Sequence, residues 1–205
     1  MVTSTGREES NTAFQTASIN ARLFPGDEPP TPPGPIIPNP SLMFRSVDDQ
    51  GTYIQLNQIG SPDAVELVYR KNNSEWITYN IGDIIALNRD DVVFLSGVND
   101  YFSKDNENFY YFTIDGSVEA EGNIQSLMNF SENCSYYCFY NLFRDCDDLL
   151  IAPQLSATGL ADGCYYNMFF NCSSLIEAPS LPATKLANGC YKGMFDGCTS
   201  LSTAP

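Results

Sequence analysis

Residues 164–179 have the sequence CYYNMFFNCSSLIEAP, and the chain contains two related stretches, CFYNLFRDCDDLLIAP at 138–153 and CYKGMFDGCTSLSTAP at 190–205. Both cysteines and the closing proline recur at a step of 26 residues, and the segments that connect the copies align without a gap. A fixed period between roughly 20 and 50 residues is typical of solenoid proteins, whose copies stack and share a core. The sequence therefore predicts a solenoid over 132–205, with the recurring cysteines at core positions.

Each copy is expected to contain a short strand, a loop and a short helix. The segment LIEAP at 175–179 is apolar and ends in proline, which suits a short strand. In LANGCYKGMF at 186–195, apolar residues at every fourth position predict a helix. Stacking of the copies would align Leu149, Leu175 and Leu201.

The cysteines allow three interpretations. Structural zinc sites use close Cys-x₂₋₄-Cys pairs, and only Cys134 and Cys138 approach that spacing. Disulfides between cysteines eight residues apart would require an oxidising compartment, and seven cysteines cannot all pair within one chain. The favoured interpretation is a ladder of buried thiols, because free cysteine packs as a small hydrophobic residue. We accordingly expect no metal ion and no cofactor.

Residues 41–131 have the pattern of a β-sandwich-like module. Turn residues separate seven short strand-like segments, which lie at 41–46, 51–60, 64–70, 75–80, 81–88, 91–97 and 108–116. Residues 71–74, Lys-Asn-Asn-Ser, predict a hairpin turn, and Val65, Leu67 and Tyr69 alternate with more polar neighbours. The whole chain is thus expected to be mainly β with short helices.

The N-terminal 40 residues divide into a predicted anchor and a spacer. Residues 1–24 are polar and small, with the apolar side chains of Phe14, Ile19, Leu23 and Phe24 as candidate contacts to a partner. Residues 25–40 contain eight prolines. Such a segment favours a polyproline II spacer of roughly 3.1 Å per residue, about 50 Å in all. We also expect no secretory signal, because no apolar run follows a basic start.

Charge and composition exclude several functions. The chain has 25 acidic and 10 basic residues, a formal charge of −15, so nucleic acid is not an expected partner. The sequence contains no run of 18 apolar residues that would predict a membrane span. Histidine is absent, which excludes catalytic sets of the Ser–His–Asp and Cys–His kinds. We therefore expect that the protein is not an enzyme.

Two weaker candidate sites lie in the β module. Asp100, Asp105 and Glu107 stand in an acidic loop that could bind calcium, although their order does not match an EF-hand and a solvated loop is favoured. A set of aromatic residues could form a platform for sugar rings, although aromatic residues on strands are more often core. These residues are Tyr69, Trp76, Tyr79, Tyr101, Tyr110 and Tyr111.

The repeats resemble the BspA-like leucine-rich repeats of bacterial surface and phage-associated proteins. The resemblance covers 138–205 and is carried by NMFFNCSSLIEAPSLPATKLANGCY and its copies. The matching parts are a predicted helix end that begins with aromatic residues, a cysteine, a leucine two or three residues later, a strand that ends in proline, and the LPAT–LA element. The preceding segment VELVYRKNNSEWITYNIGDIIAL is similar to the small β domain that often precedes such repeats. The resemblance implies an adhesion or interaction protein without catalytic residues.

These features together predict a non-enzymatic virion protein, a bacteriophage head fibre or capsid decoration, assembled in the bacterial host cytoplasm. Its N-terminus would bind a capsid or other virion protein, and its repeats would contact host-surface glycan or protein. The alternative is a bacterial cell-surface adhesin of the BspA-like type. The sequence stops at Pro205 within a copy and without a polar cap, so we expect either a longer chain or a dimer or trimer that covers this end.

Overall fold

Nine strands and one 3₁₀ helix follow one another along the residues that the computed structural model describes, which are 41–203 and 205. The strands are β1 Leu42–Ser46, β2 Thr52–Ile59, β3 Leu67–Lys71, β4 Ile77–Tyr79, β5 Ile84–Leu87, β6 Val92–Gly97, β7 Phe109–Asp115, β8 Val118–Glu121 and β9 Leu149–Ile151. The 3₁₀ helix spans Ile124–Leu127, between β8 and β9. The predicted anchor residues Phe14, Ile19, Leu23 and Phe24 and the spacer 25–40 lie outside the described residues.

The seven strands predicted for the β module are confirmed as β1 to β7. Buried and partly exposed residues alternate along β1, β6 and β7, which is the pattern of strands with one face in a core. The predicted hairpin at 71–74 is also confirmed, because β3 and β4 pair antiparallel and the Ser74 amide donates to the Lys71 carbonyl oxygen at 3.0 Å. Strand β8 was not anticipated from the sequence.

The strands form two sheets, so the described residues are mainly β. The six-stranded sheet has the order β4-β3-β6-β1-β8-β9, and the three-stranded sheet has the order β5-β2-β7. All neighbours are antiparallel except β8 and β9, which are parallel. Phe44 of β1 packs edge-on against Phe112 of β7, with ring centroids 5.2 Å apart. The buried faces of the two sheets therefore share one core.

The first repeat continues this core without a break. Strand β9 belongs to the repeat and adds to the edge of the six-stranded sheet beside β8. The backbone amide of Phe112 donates to the Leu142 carbonyl oxygen at 2.7 Å, and the Phe112 ring stacks on Phe143 at 5.1 Å. The predicted boundary at 131 thus separates two sequence patterns whose buried side chains meet in one cluster.

The three copies stack on one another one period apart. The rings of Phe143, Phe169 and Phe195 form a column with centroid separations of 5.4 and 5.8 Å and planes within 6° of parallel. Backbone hydrogen bonds run alongside, from the Phe143 amide to the Met168 carbonyl at 2.8 Å and from the Phe169 amide to the Met194 carbonyl at 3.0 Å. Equivalent residues of successive copies therefore lie above one another.

The predicted helix at 186–195 is wrong, because this segment is a run of turns. Each copy carries left-handed residues four positions apart, with φ between +54° and +81°: Asn141 and Asp145, Asn167 and Asn171, Gly193 and Gly197. Asparagine, aspartate and glycine adopt this conformation at the lowest cost, and each such residue breaks the α-helical hydrogen-bond ladder. The predicted strand at LIEAP is also reduced, since 175–179 contributes only a single bridge from Glu177 to Ile151.

Replacement of Asp91 by asparagine is expected to lower the melting temperature at neutral pH. The Asp91 carboxylate lies 2.8 Å from Lys71 Nζ and accepts hydrogen bonds from the Asn72 side chain and the Asn88 amide. These contacts, led by Lys71, hold the pKa of Asp91 well below its ordinary value of 3.8. A depressed pKa contributes stability that is fully present above the ordinary pKa. This stability is lost as the pH falls from the ordinary pKa through the depressed one.

Thermal unfolding followed by circular dichroism at about pH 7 and about pH 3 checks this expectation. The difference in melting temperature between wild type and D91N should be larger at the higher pH. A difference that is equal at both values would show that the charge of Asp91 contributes nothing.

Candidate functional site

The recurring cysteines form two ladders of buried thiols. In one ladder, the thiols of Cys146, Cys172 and Cys198 donate to backbone carbonyl oxygens at 3.3, 3.0 and 3.0 Å. The acceptors belong to β7, to the first copy and to the second copy, so each thiol ties its copy to the preceding layer. The positions equivalent to Cys138 form the other ladder, and all seven thiols are buried and unpaired. Cysteines eight residues apart lie in different ladders, and the thiols pack as core residues.

Alkylation should distinguish these thiols by their burial. Desolvation raises the pKa of Cys146, Cys172 and Cys198, which lowers the thiolate fraction that reacts. Cys198 is 9% exposed, whereas Cys172 is 0% exposed. We expect iodoacetamide to modify Cys198 before the other two in the folded protein, and all of them in denaturant, as read by mass spectrometry of peptides. Equal rates at Cys172 and Cys198 in the folded state would contradict a buried ladder.

A small polar cluster surrounds Cys134 inside the core. The side-chain amide of Gln125 donates from Nε2 to Cys134 Sγ at 3.1 Å, and the Cys134 thiol donates to the Tyr165 hydroxyl oxygen at 3.2 Å. All three residues are at most 6% exposed. Within the described part of the chain, no group of three or more His, Cys, Asp or Glu side chains is arranged to hold a metal ion. The cluster links the 3₁₀ helix to the first two copies.

In the acidic loop at 99–109, the carboxylate of Asp105 accepts hydrogen bonds from the loop's own backbone. Asp105 Oδ1 accepts hydrogen bonds from the Glu107 amide at 2.9 Å and from the Asn108 amide at 2.8 Å. These bonds, the one from Glu107 foremost, hold the pKa of Asp105 below its ordinary value. The loop geometry therefore accounts for Asp105 without a bound ion.

The aromatic residues that the sequence suggested as a sugar platform do not form one surface, although the rings of Tyr69 and Tyr79 meet edge-on at 5.9 Å. Tyr79 and Tyr110 are core residues, 4% and 1% exposed. Trp76 lies under the Arg70 guanidinium group, 5.2 Å from its ring centroid. Of the six, only Tyr111 joins the aromatic surface described next.

A continuous aromatic surface forms where β7 meets the first two copies. Its members, here called the tyrosine surface, are Phe109, Tyr111, Tyr136, Tyr137, Tyr140 and Tyr166. Successive ring centroids lie 4.5 to 6.3 Å apart, beginning with Phe109 against Tyr140 at 5.0 Å. Tyr136 is 54% exposed, and the other five rings are half-buried. Rings that expose one face and hold one another in place are suited to binding a partner with little loss of conformational entropy.

The sequence contained one signal for this surface. The second and third copies carry Asp-Gly at 162–163 and Asn-Gly at 188–189, whereas the first copy carries two tyrosines, Tyr136 and Tyr137. Tyr137 keeps the left-handed backbone of its glycine equivalents, with φ of +51°, although a bulky residue is strained there. Its ring lies over Gly163, where an added Cβ would approach it to 2.7 Å. Because this departure from the repeat pattern is costly, Tyr137 is a candidate functional position.

A pocket of about 300 Å³ opens beside the tyrosine surface. Phe109 and Tyr111 of β7 form one side, and Asn141, Arg144 and Asp145 of the first copy form the other. The pocket thus combines aromatic walls with polar groups that come from a segment more than 25 residues away in the sequence.

No protein-family model, curated protein or solved structure matches this chain. The likeness to BspA-like repeats therefore rests on the repeat pattern alone. Among the described residues, no helix has the length and apolar character needed to cross a membrane.

Proposed function

We propose that this chain is a non-enzymatic structural protein of a virion, a head fibre or capsid decoration, which presents the tyrosine surface to a glycan or protein of the host surface. The observation that carries the proposal is an exposed aromatic surface built on a stack of repeats that shares its core with two β-sheets. A partner would meet a surface whose shape is set before binding, so little ordering entropy opposes contact.

The stacked copies support a solenoid of 26-residue repeats of the BspA-like leucine-rich kind. The column of Phe143, Phe169 and Phe195, the thiol ladder and the inter-copy hydrogen bonds all repeat at the period of the sequence. In such an architecture each copy buries its apolar residues against its neighbours, so each copy is stabilised mainly by the contacts that it makes with the copies beside it.

The chemistry of the core supports assembly in a reducing cytoplasm. The buried thiols act as hydrogen-bond donors and apolar fillers, roles that a free thiol performs without oxidation. Residues 1–24, with Phe14, Ile19, Leu23 and Phe24, would then attach to a capsid or other virion protein, and the proline-rich 25–40 would separate that anchor from the β module.

A homo-oligomer, a dimer or trimer, is part of this proposal. Tyr191 and Phe195 of the third copy are half-buried, whereas their equivalents Tyr165 and Phe169 are fully buried. Covering that apolar face, by another subunit or by a further copy of the repeat, would remove it from water. Size-exclusion chromatography with light scattering measures the number of subunits, and a monomer would contradict this part.

The alternative is a bacterial cell-surface adhesin of the BspA-like type. The repeat pattern favours it, because the same exposed aromatic surface would serve adhesion from a cell as well as from a particle. Both functions are interactions without catalysis, in keeping with a sequence that contains no histidine.

Fractionation of the native source on a density gradient tests the proposal and separates it from the alternative. We expect the chain, followed by mass spectrometry, to sediment with large particles, and deletion of 1–24 to release it. Deletion of 25–40 is the matched control, because it removes the spacer and keeps the anchor. Recovery of the chain in a cell-envelope fraction would overturn the virion assignment and favour the adhesin.

A further inference from the structure

We propose that the pocket beside the tyrosine surface binds one ring of a neutral sugar. This inference rests on the proposed attachment function and names the ligand class and the position at which it is held. Four features of the pocket carry it: an unpaired buried acceptor, two aromatic walls, charges that are already paired, and a volume that suits a small ring.

The unpaired acceptor is Asn141 Oδ1. Asn141 is 3% exposed and lines the pocket, yet this oxygen has no hydrogen-bond partner within the described residues. A buried carbonyl oxygen without a donor is unfavourable, so such groups in native proteins are nearly always paired. Oδ1 itself is closed off from solvent, so a sugar hydroxyl in the pocket would supply the missing donor once the Asn141 side chain rotates toward it.

The aromatic walls are Phe109 and Tyr111, neighbours on the same face of β7 with ring centroids 6.3 Å apart. Phe109 is held in turn by Tyr140, whose ring meets it edge-on at 5.0 Å. An aromatic face is electron-rich, and the C–H groups on one face of a sugar ring are apolar and weakly positive. The walls would therefore contact the C–H face while the hydroxyls reach the polar side.

The charges of the pocket indicate a neutral ligand. Arg144 Nε lies 3.1 Å from Asp145 Oδ2, and Asp145 Oδ1 accepts a hydrogen bond from the Asn171 side chain at 2.9 Å. The Arg144 guanidinium group also lies over the Phe170 ring, 5.1 Å from its centroid. Because this cation is already paired and the whole chain carries −15, an anionic ligand gains no attraction here.

The volume of about 300 Å³ is at the lower end of the range for small-molecule sites, roughly 300–1,000 Å³. This size suits a single sugar ring rather than a peptide or a lipid chain. The tyrosine surface begins at the same two residues, Phe109 and Tyr111, so a longer glycan would continue from the pocket along Tyr140 and Tyr137.

The test is a titration of the full, isotope-labelled chain with methyl glycosides of glucose, galactose, mannose and N-acetylglucosamine, followed by NMR chemical shifts. At least one of them should shift the signals of Tyr111 and Asn141 with saturation in the millimolar range. N141G should weaken that binding about fivefold, because it removes one hydrogen bond. Its fold should be retained, since glycine suits the left-handed backbone and occupies the equivalent position at Gly193.

The matched control is N167G, which makes the same substitution at the same conformation one copy later, φ of +54° against +55° for Asn141. It should leave binding unchanged. Equal weakening by N167G, or no shift with any of the four glycosides, would overturn the sugar site. Another result would also overturn it: the signals of Tyr111 and Asn141 shift with a proline-rich peptide of residues 25–40 and with none of the glycosides. The pocket would then be a binding site for the spacer. Co-sedimentation with particles is measured separately, so loss of sugar binding leaves the virion assignment standing.

Discussion

The variant F169A is expected to lose about 3–5 kcal/mol of unfolding free energy, because it empties the centre of the aromatic column. Phe169 is 0% exposed and lies between Phe143 at 5.4 Å and Phe195 at 5.8 Å, stacked on both faces. The backbone beside both neighbours is held in place, because the Phe143 amide donates to the Met168 carbonyl and the Phe169 amide donates to the carbonyl of Met194, which precedes Phe195. Domains of ordinary size are stable by only about 5–15 kcal/mol, so this loss is a large fraction of the total.

The matched control is F195A, the same substitution at the end of the column. Among the described residues of one chain, Phe195 is half-buried and stacks on Phe169 alone, so in the single subunit its removal leaves an open notch rather than a closed cavity. Urea unfolding followed by circular dichroism should give a clearly smaller loss for F195A than for F169A. Equal losses would show that the column does not stabilise the stack through its centre.

The second large effect is expected for G116A, which should cost about 2–5 kcal/mol from backbone strain and overpacking together. Gly116 joins β7 to β8 and therefore connects the two sheets. Its φ is +89°, and an added Cβ would lie 2.6 Å from the Gly51 carbonyl oxygen. A backbone oxygen cannot rotate away as a side chain can, so the strands themselves would have to separate.

Gly82 provides the control for the strain alone. Its φ is +91°, almost the same as that of Gly116, but no atom lies within 4 Å of the position that a Cβ would take. G82A should therefore cost only about 1–2 kcal/mol, the penalty of the left-handed conformation. If the two variants unfold at the same urea concentration, the close approach of Gly116 to Gly51 is not a constraint on the fold.

Local sequence patterns were sufficient for β1 to β7 and for the period of the repeats. Alternation of apolar and polar residues predicted β1 to β7 because a strand presents its side chains to two opposite faces, whichever neighbour it later acquires. The step of 26 residues predicted which side chains recur in the core, and the cysteines at that step are buried.

The helix prediction failed although the contrary signal was local. Apolar residues at every fourth position fit a helix, but asparagine, aspartate or glycine also recurs at every fourth position, as at Asn167 and Asn171. Spacing alone does not distinguish a helix from a chain of turns whose fourth residues are left-handed. The identity of those residues does, because few side chains accept a positive φ.

The tyrosine surface and its pocket depend on contacts that no local pattern contains. Phe109 and Tyr111 alternate correctly for a strand, and Tyr140 and Asn141 fit the repeat, so each segment looks ordinary by itself. They meet because the first copy joins the β module through β9 and through the bond from Phe112 to Leu142, 30 residues apart in the sequence. The residues of this chain thus determine strands, turns and period by their own conformational preferences. Only the packing of the repeats against β7 places an unpaired amide oxygen beside two aromatic rings, because that neighbourhood exists only once the distant segments share one core.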